Sequence, residues 1–313
     1  MTFAERARLA SHSLLIDVAS AGRRLVAVGE RGHVLLSDDE GQTWSQADSV
    51  PTRSLLTGVC FSNARQGIAV GHDEVILTTQ DAGQTWALVH FAPESQQPLL
   101  DVACAADGHV IAVGAYGVYF SSVDGGVSWH ERKLAAPAGR TPTADDIGRD
   151  FHLNKIVMAP ARLYIAAEAG HLYRSDDGGE IWHELPSPYD GSFFGIRPLG
   201  GDVVLAYGLR GNLFRSEDAG TTWQKVETGT HAMLNDAVSM GAGGLTAVVG
   251  LSGVVLVSRD AGRSFTLMQQ EDRKGLSAAR AVGSDTLVVV GEGGARRINI
   301  APAAAAAASS GGP

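Results

Sequence analysis

Short apolar runs, each about five residues long and closed by polar turns, recur along the chain. The first four are "SLLIDVAS" (13–20), "RRLVAVGE" (23–30), "GHVLLSDD" (32–39) and "QTWSQA" (42–47). All are β-branched or leucine-rich, and none is long enough to make an amphipathic helix, so four short strands are predicted. The set then repeats. An acidic turn closes each third run: "SDDEGQTW" (37–44), "TQDAGQTW" (79–86), "SVDGGVSW" (122–129), "SDDGGEIW" (175–182), "SEDAGTTW" (216–223) and "SRDAGRSF" (258–265). The shared pattern is S-x-D-x-G-x-[ST]-W, relaxed to Thr79, Ile181 and Phe265 at single positions. Eight to ten residues before each copy a β-branched run ends in G-x-x-G or a variant of it, as in "VAVGERGH" and "IAVGAYGV". This second marker occurs a seventh time, in "VVVGEGGA".

Successive turns are 41 to 43 residues apart, except for one step of 53. Four strands per period of that length predict the blades of a β-propeller, since one four-stranded sheet cannot bury both faces alone. The fold class expected is all-β: a seven-bladed propeller of four-stranded antiparallel blades spanning residues 1–300. The seventh repeat shows three runs, "LSAARAVG", "TLVVVGEG" and "ARRINI", and no acidic turn. Its fourth strand is expected from residues 2–9, which would close the ring and remove its exposed edges. The tail 301–313, "APAAAAAASSGGP", is low-complexity and is expected to be disordered.

The acidic turns read as structure. Asp39, Asp81, Asp124, Asp177, Asp218 and Asp260 can each accept from backbone amides two residues on. Gly41, Gly83, Gly126, Gly179, Gly220 and Gly262 supply a positive φ. Trp44, Trp86, Trp129, Trp182, Trp223 and Phe265 then project as large apolar anchors between neighbouring blades, so that Trp223→Ala should cost about 3–5 kcal/mol.

Composition narrows the function classes. The 313 residues carry 39 glycines and a net charge of −9, with no run of Lys or Arg longer than two, so no nucleic-acid footprint is visible. No apolar stretch approaches 18 residues, and no membrane insertion is expected. "MTFAERARLASHSLL" lacks the features of a signal peptide. A cytoplasmic location is expected on that ground, or a periplasmic or exported one if a leader has been removed. Cys60 and Cys104 lie in apolar runs and are expected as buried free thiols. The ten histidines include no H-x-H or H-x-x-x-H pair, and no cofactor or metal is expected.

The S-x-D-x-G-x-[ST]-W turns resemble the Asp box, or bacterial neuraminidase repeat. Together with the V-G-x-x-G marker, "LLIDVASAGRRLVAVGERGHVLLSDDEGQTW" resembles the blades of photosystem II stability/assembly factor-like propellers, over about residues 12–300. That resemblance implies a seven-bladed, non-catalytic propeller that binds another protein, as an assembly or stability factor or an accessory component of an envelope or membrane complex. A monomer is expected.

Strand direction puts the G-x-x-G loops and the inter-blade connections on one face, opposite the acidic turns. Side chains vary there while the glycines repeat, so that face is the expected docking surface. Its candidates are Arg31, His72, Tyr116 and Arg210 in the loops. Asp145, Arg149 and His152 come from the insertion "RKLAAPAGRTPTADDIGRDFHLNK", and Tyr189 from "LPSPYDGSFFGIRP". Arg53, Arg197 and Arg280, near the starts of inner strands, complete the set. The alternative is a glycan-binding or sialidase-like propeller, in which those three arginines would grip a carboxylate. The F/Y-R-I-P signature of sialidases is absent, "FGIRP" being only an echo, and no Tyr–Glu partnership is evident.

Overall fold

Seven antiparallel sheets follow one another along the chain in the computed structural model, which describes residues 2–134, 151–240 and 244–301. In the first, Leu15–Ala21, Arg24–Gly29, Val34–Ser37 and Ser45–Gln46 pair in chain order. Five more sheets repeat that order with four strands each, and the seventh has three. The second strands, such as "GIAVG" and "VIAVG", are buried along their whole length. A strand apolar on both sides suits a sheet sandwiched between two others. The core accordingly lies between blades, as in the cluster joining Val26 and Leu36 of blade one to Val59, Leu77 and Trp86 of blade two.

The acidic turn is a closed hydrogen-bond circuit. Ser37 Oγ donates to Asp39 Oδ1 (2.8 Å) and accepts from Gly41 N (2.8 Å). Asp39 Oδ1 accepts from Gln42 N (3.1 Å) and Thr43 N (2.9 Å), and its Oδ2 accepts from Thr43 Oγ1 (2.6 Å). The aspartate therefore reaches amides three and four residues on, one and two residues further than expected, because Glu40 (φ 60°) and Gly41 (φ 80°) coil the chain back over it. The glycine is also needed for close approach. A Cβ on Gly41 would lie 2.5 Å from Val288 of blade seven, and one on Gly126 would lie 2.4 Å from Ile68 of blade two. Each turn thus presses on the preceding blade. Of the anchors, Trp86 (5 % exposed) and Trp182 (2 %) are fully buried. Trp44, Trp129, Trp223 and Phe265 are only half-buried.

Three sequence expectations need correction or fall outside the described residues. Residues 2–9 form no strand with blade seven. Their hydrogen bonds run to blade one and the connection beyond it: Ala4 N to Val50 O, Ala7 N to Gln46 Oε1, and Arg6 to Asp48. Blade seven meets blade one through an apolar interface instead, with Ala278, Val288 and Val290 against Leu15, Val18 and Leu35. Cys60 and Cys104 are not free thiols. They form a disulfide with Cα atoms 5.7 Å apart, because residues one repeat apart on inner strands become neighbours around the axis. Asp145 and Arg149, with Asp146, Asp150 and the tail from 302, lie outside the described residues.

Candidate functional site

Backbone hydrogen bonds sort the loops into two faces. Glu30 N donates to Leu14 O, His72 N to Leu55 O, Ala115 N to Pro98 O and Leu209 N to Ser192 O. Each joins a G-x-x-G loop to the residue that leads into the first strand of the same blade. On the other side, Ala82 N donates to Arg65 O, Ala219 N to Asp202 O and Ala261 N to Gly244 O, joining acidic turns to the hairpins between first and second strands. The two kinds of turn therefore occupy opposite faces.

Every G-x-x-G loop of the first six blades places its second variable residue in the left-handed region: Arg31 (φ 56°), Asp73 (61°), Tyr116 (54°), Ala169 (52°), Arg210 (57°) and Ser252 (57°). That geometry turns the side chain away from the hairpin, and Arg31, Tyr116 and Arg210 are exposed, as is the preceding His72. The closing glycine is required by contact as well as by φ. A Cβ on Gly32 would sit 2.2 Å from Thr52 O, and one on Gly211 2.0 Å from Thr230 O. Blade two has Glu74 there instead, at φ 49°, buried and 3.1 Å from His90 Nε2.

The structure brings some of the expected residues together. The Tyr116 ring stands edge-on to His152 at 4.9 Å, and His152 Nδ1 lies 3.3 Å from Glu168 Oε1. Beside them Phe151 packs on His171 at 4.1 Å, and His171 Nδ1 is 2.6 Å from Glu184 Oε1. An aromatic and histidine cluster thus spans blades three and four on the G-x-x-G face. Arg53 is held at the other end of that face by Phe3 O (3.0 Å) and Glu5 (2.5 Å), beside a cavity of about 590 Å³ that Phe91 also lines. Tyr189 is a packing residue, its ring about 6 Å from those of Phe193 and Phe214. Phe193 is likewise core, 1 % exposed.

Arg197 and Arg280 are not on the rim. Both sit at the fifth position of an inner strand and line the central channel. There they flank one internal carboxylate: Arg197 Nη2 is 3.7 Å from Asp236 Oδ1 and Arg280 Nη1 3.5 Å from Oδ2. The expected arginine trio is thereby divided, with Arg53 engaged by Glu5.

Sequence reasoning missed this channel. Asp17, Asp101 and Asp236 occupy the same third position of their inner strands, in "IDVAS", "LDVAC" and "NDAVS". Each reaches the next blade, accepting from Val59 N (3.0 Å), Ile156 N (2.9 Å) and Ala279 N (3.0 Å). Thr57, Asn154 and Asn235 make matching bonds to Leu99 O, Phe193 O and Leu276 O. The recurring D-[VA] was the available signal. Lys155 Nζ is 3.2 Å from Asp101. Burial pushes the Asp101 carboxyl up to about 6 while Lys155 pulls the other way. Burial also opposes the Lys155 charge, but Asp101, Asp17 and Asp236 overcome it and hold its pKa above the ordinary lysine value. Burial raises the Tyr207 phenol, with Asp236 adding to it, so this hydroxyl stays neutral. The channel is an internal, charge-balanced network of three carboxylates and three cations.

A family model for the photosynthesis system II assembly factor YCF48 matches residues 85–248. Among solved structures, one of YCF48 bound to D1 peptide superposes with a TM-score of 0.72 at 16 % identity, covering 93 % of this chain and 94 % of that one. YCF48 from Cyanidioschyzon merolae gives 0.70 at 16 %, covering 94 % and 97 %. The WD40 β-propeller domain of Doa1 gives 0.69 at 11 %, covering 95 % and 94 %. At these identities the likeness is one of fold. No curated protein sequence matches the chain.

Proposed function

This chain belongs to the family of the photosynthesis system II assembly factor YCF48, and on that premise we propose that it is a non-catalytic propeller that binds another protein. Its role would be that of an assembly or stability factor, or an accessory component of an envelope complex. The observation that carries this reading is the G-x-x-G face. Six loops share one backbone geometry, set by a left-handed residue and, in five of them, a closing glycine, and their left-handed side chains differ widely: Arg31, Asp73, Tyr116, Ala169, Arg210 and Ser252. A rigid frame with variable tips suits recognition. Arg31, His72, Tyr116 and Arg210 supply the exposed tips, with Arg53 and His152 at its edges. The YCF48 relative of this fold, solved with a D1 peptide, supports a peptide segment as the kind of partner bound.

The glycosidase alternative needs arginines open to a substrate carboxylate. Arg197 and Arg280 already face Asp236, which argues against it. The deciding experiment is affinity capture with the chain and with an Arg31→Ala, Arg53→Ala, Arg210→Ala variant. The variant is expected to fold and to lose its partners. A folded variant that captures the same proteins would remove this face from consideration.

A further inference from the structure

The outer edge of blade seven is built differently from every other. In the first six blades a fourth strand covers the third, and "VLLS", "ILTT", "YFSS", "LYRS", "LFRS" and "VVLVS" hold no exposed residue. The corresponding strand Gly294–Asn299 pairs only with Thr286–Gly291, and its Arg297 and Asn299 are exposed. The register identifies the open groups. The carbonyls of Val34, Leu172 and Leu213 accept from Ala47, Leu185 and Val226, each one residue past the end of its fourth strand, at 2.8–2.9 Å. Ala295 stands opposite Val290 as Val34 stands opposite Val28, so its N–H and C=O face outward. Among the described residues no backbone hydrogen bond reaches that side of Ala295 or Arg297.

A second feature adjoins this edge. Trp86, the anchor of blade two, packs in one cluster with Leu36 and Ala47 of blade one. The residues at those two places in blade six are Val257 and Met268. With Thr266 and Ile300 they line a cavity of about 530 Å³ at the end of the open strand. Blade seven has no acidic turn and no aromatic to occupy it. An unpaired edge and an apolar cavity therefore coincide where the other blades hold a fourth strand and its anchor.

We propose that this edge receives an extended segment of a partner protein. The segment adds antiparallel to Gly294–Asn299 and seats an aromatic side chain against Val257 and Met268. This rests on the protein-binding reading but uses the rim of the ring rather than the G-x-x-G face. Charge specifies the segment further. Arg259 and Arg297, 44 % and 33 % exposed, have carboxylate contacts of only 3.6 and 4.0 Å, so an acidic residue near the aromatic is complementary. The chain's own segments fit less well. Residues 302–313 contain neither an aromatic nor an acidic side chain, and Phe3 and Glu5 lie on a stretch engaged by Arg53.

The probe is a fluorescein-labelled synthetic peptide of the chain's own second blade, Thr79 to His90 ("TQDAGQTWALVH"), titrated against the full chain by anisotropy. Binding is expected, with hydrogen exchange at 294–299 slowed. Trp86→Ala in the peptide should weaken it about tenfold or more. Ala295→Pro in the protein, which removes an outward N–H, should do the same by about tenfold. Should that variant fail to fold, Met268→Trp fills the cavity and should also weaken binding. No binding, or binding indifferent to these changes, overturns the proposal. So does slow exchange at 294–299 in the free chain that deletion of 302–313 relieves, or a dimer paired through this edge. An Arg31→Ala, Arg210→Ala variant is expected to bind the peptide normally, so failure at the edge is distinguishable from failure of the G-x-x-G face.

Discussion

Asp17 on the inner strand of blade one accepts the backbone N–H of Val59 on the inner strand of blade two, 3.0 Å away and 42 residues on. It also accepts from Val18 N at 2.8 Å, and its side chain is shielded from solvent. Inner strands cannot pair with one another, since each is the inner edge of its own sheet. Their buried amides at the hub need side-chain acceptors, and Asp17, Asp101 and Asp236 provide them.

Removing such an acceptor should cost more than the bond it made. Asp17→Ala leaves two buried N–H groups without a partner, so a loss of about 1–3 kcal/mol in urea unfolding is expected. Asp17→Asn, which keeps one acceptor oxygen, should lose less. An alanine variant as stable as the parent would show that these bonds do not hold the hub.

The acidic turns make the fold sensitive to acid. The Thr43 hydroxyl and amide hold the Asp39 carboxyl at about 2, and Thr222 does the same for Asp218. Both lie below the ordinary aspartate value of 3.8, so the folded state releases these protons more readily than the unfolded chain. Their contribution is present above about pH 4 and is lost as pH falls from there to about 2. Thermal melts should show the midpoint dropping across that window, and Asp218→Asn should flatten part of the drop. A midpoint constant from pH 4 to pH 2 would contradict the circuit.

Anchors of the same sequence type should differ in weight. Trp86 is 5 % exposed within a tight inter-blade cluster, and Trp86→Ala should cost about 3–5 kcal/mol. Trp223 is half-buried, with its indole N–H on Pro186 O at 3.0 Å, and should cost clearly less than expected from sequence. Urea midpoints giving the reverse order would refute the assignment.

The Cys60–Cys104 bond closes a separation of 44 residues between blades two and three. A loop of that length should contribute about 4 kcal/mol through the unfolded chain. The unfolding midpoint should fall when dithiothreitol is added, and a Cys60→Ser, Cys104→Ser variant should be insensitive to it. An unchanged midpoint for the parent would mean that the bond does not form in solution.

The sequence by itself determined the blades. Strand length, turn chemistry and a fixed period are local properties, so seven G-x-x-G markers and six acidic turns specified seven sheets and their two faces. Even the need for Gly41 was legible, from its positive φ alone. Only the tertiary structure decided what happens around the axis. Closing the ring brings residues one repeat apart into contact, which turned two apparently isolated cysteines into a disulfide and three scattered aspartates into inter-blade staples. It also drew Arg197 and Arg280 off the rim and onto Asp236. The N-terminal stretch shows the same limit. Its sequence permits a strand, but Gln46 of blade one and Asp48 and Val50 in the connection beyond it offered partners that no local pattern reveals, and they left the edge of blade seven open.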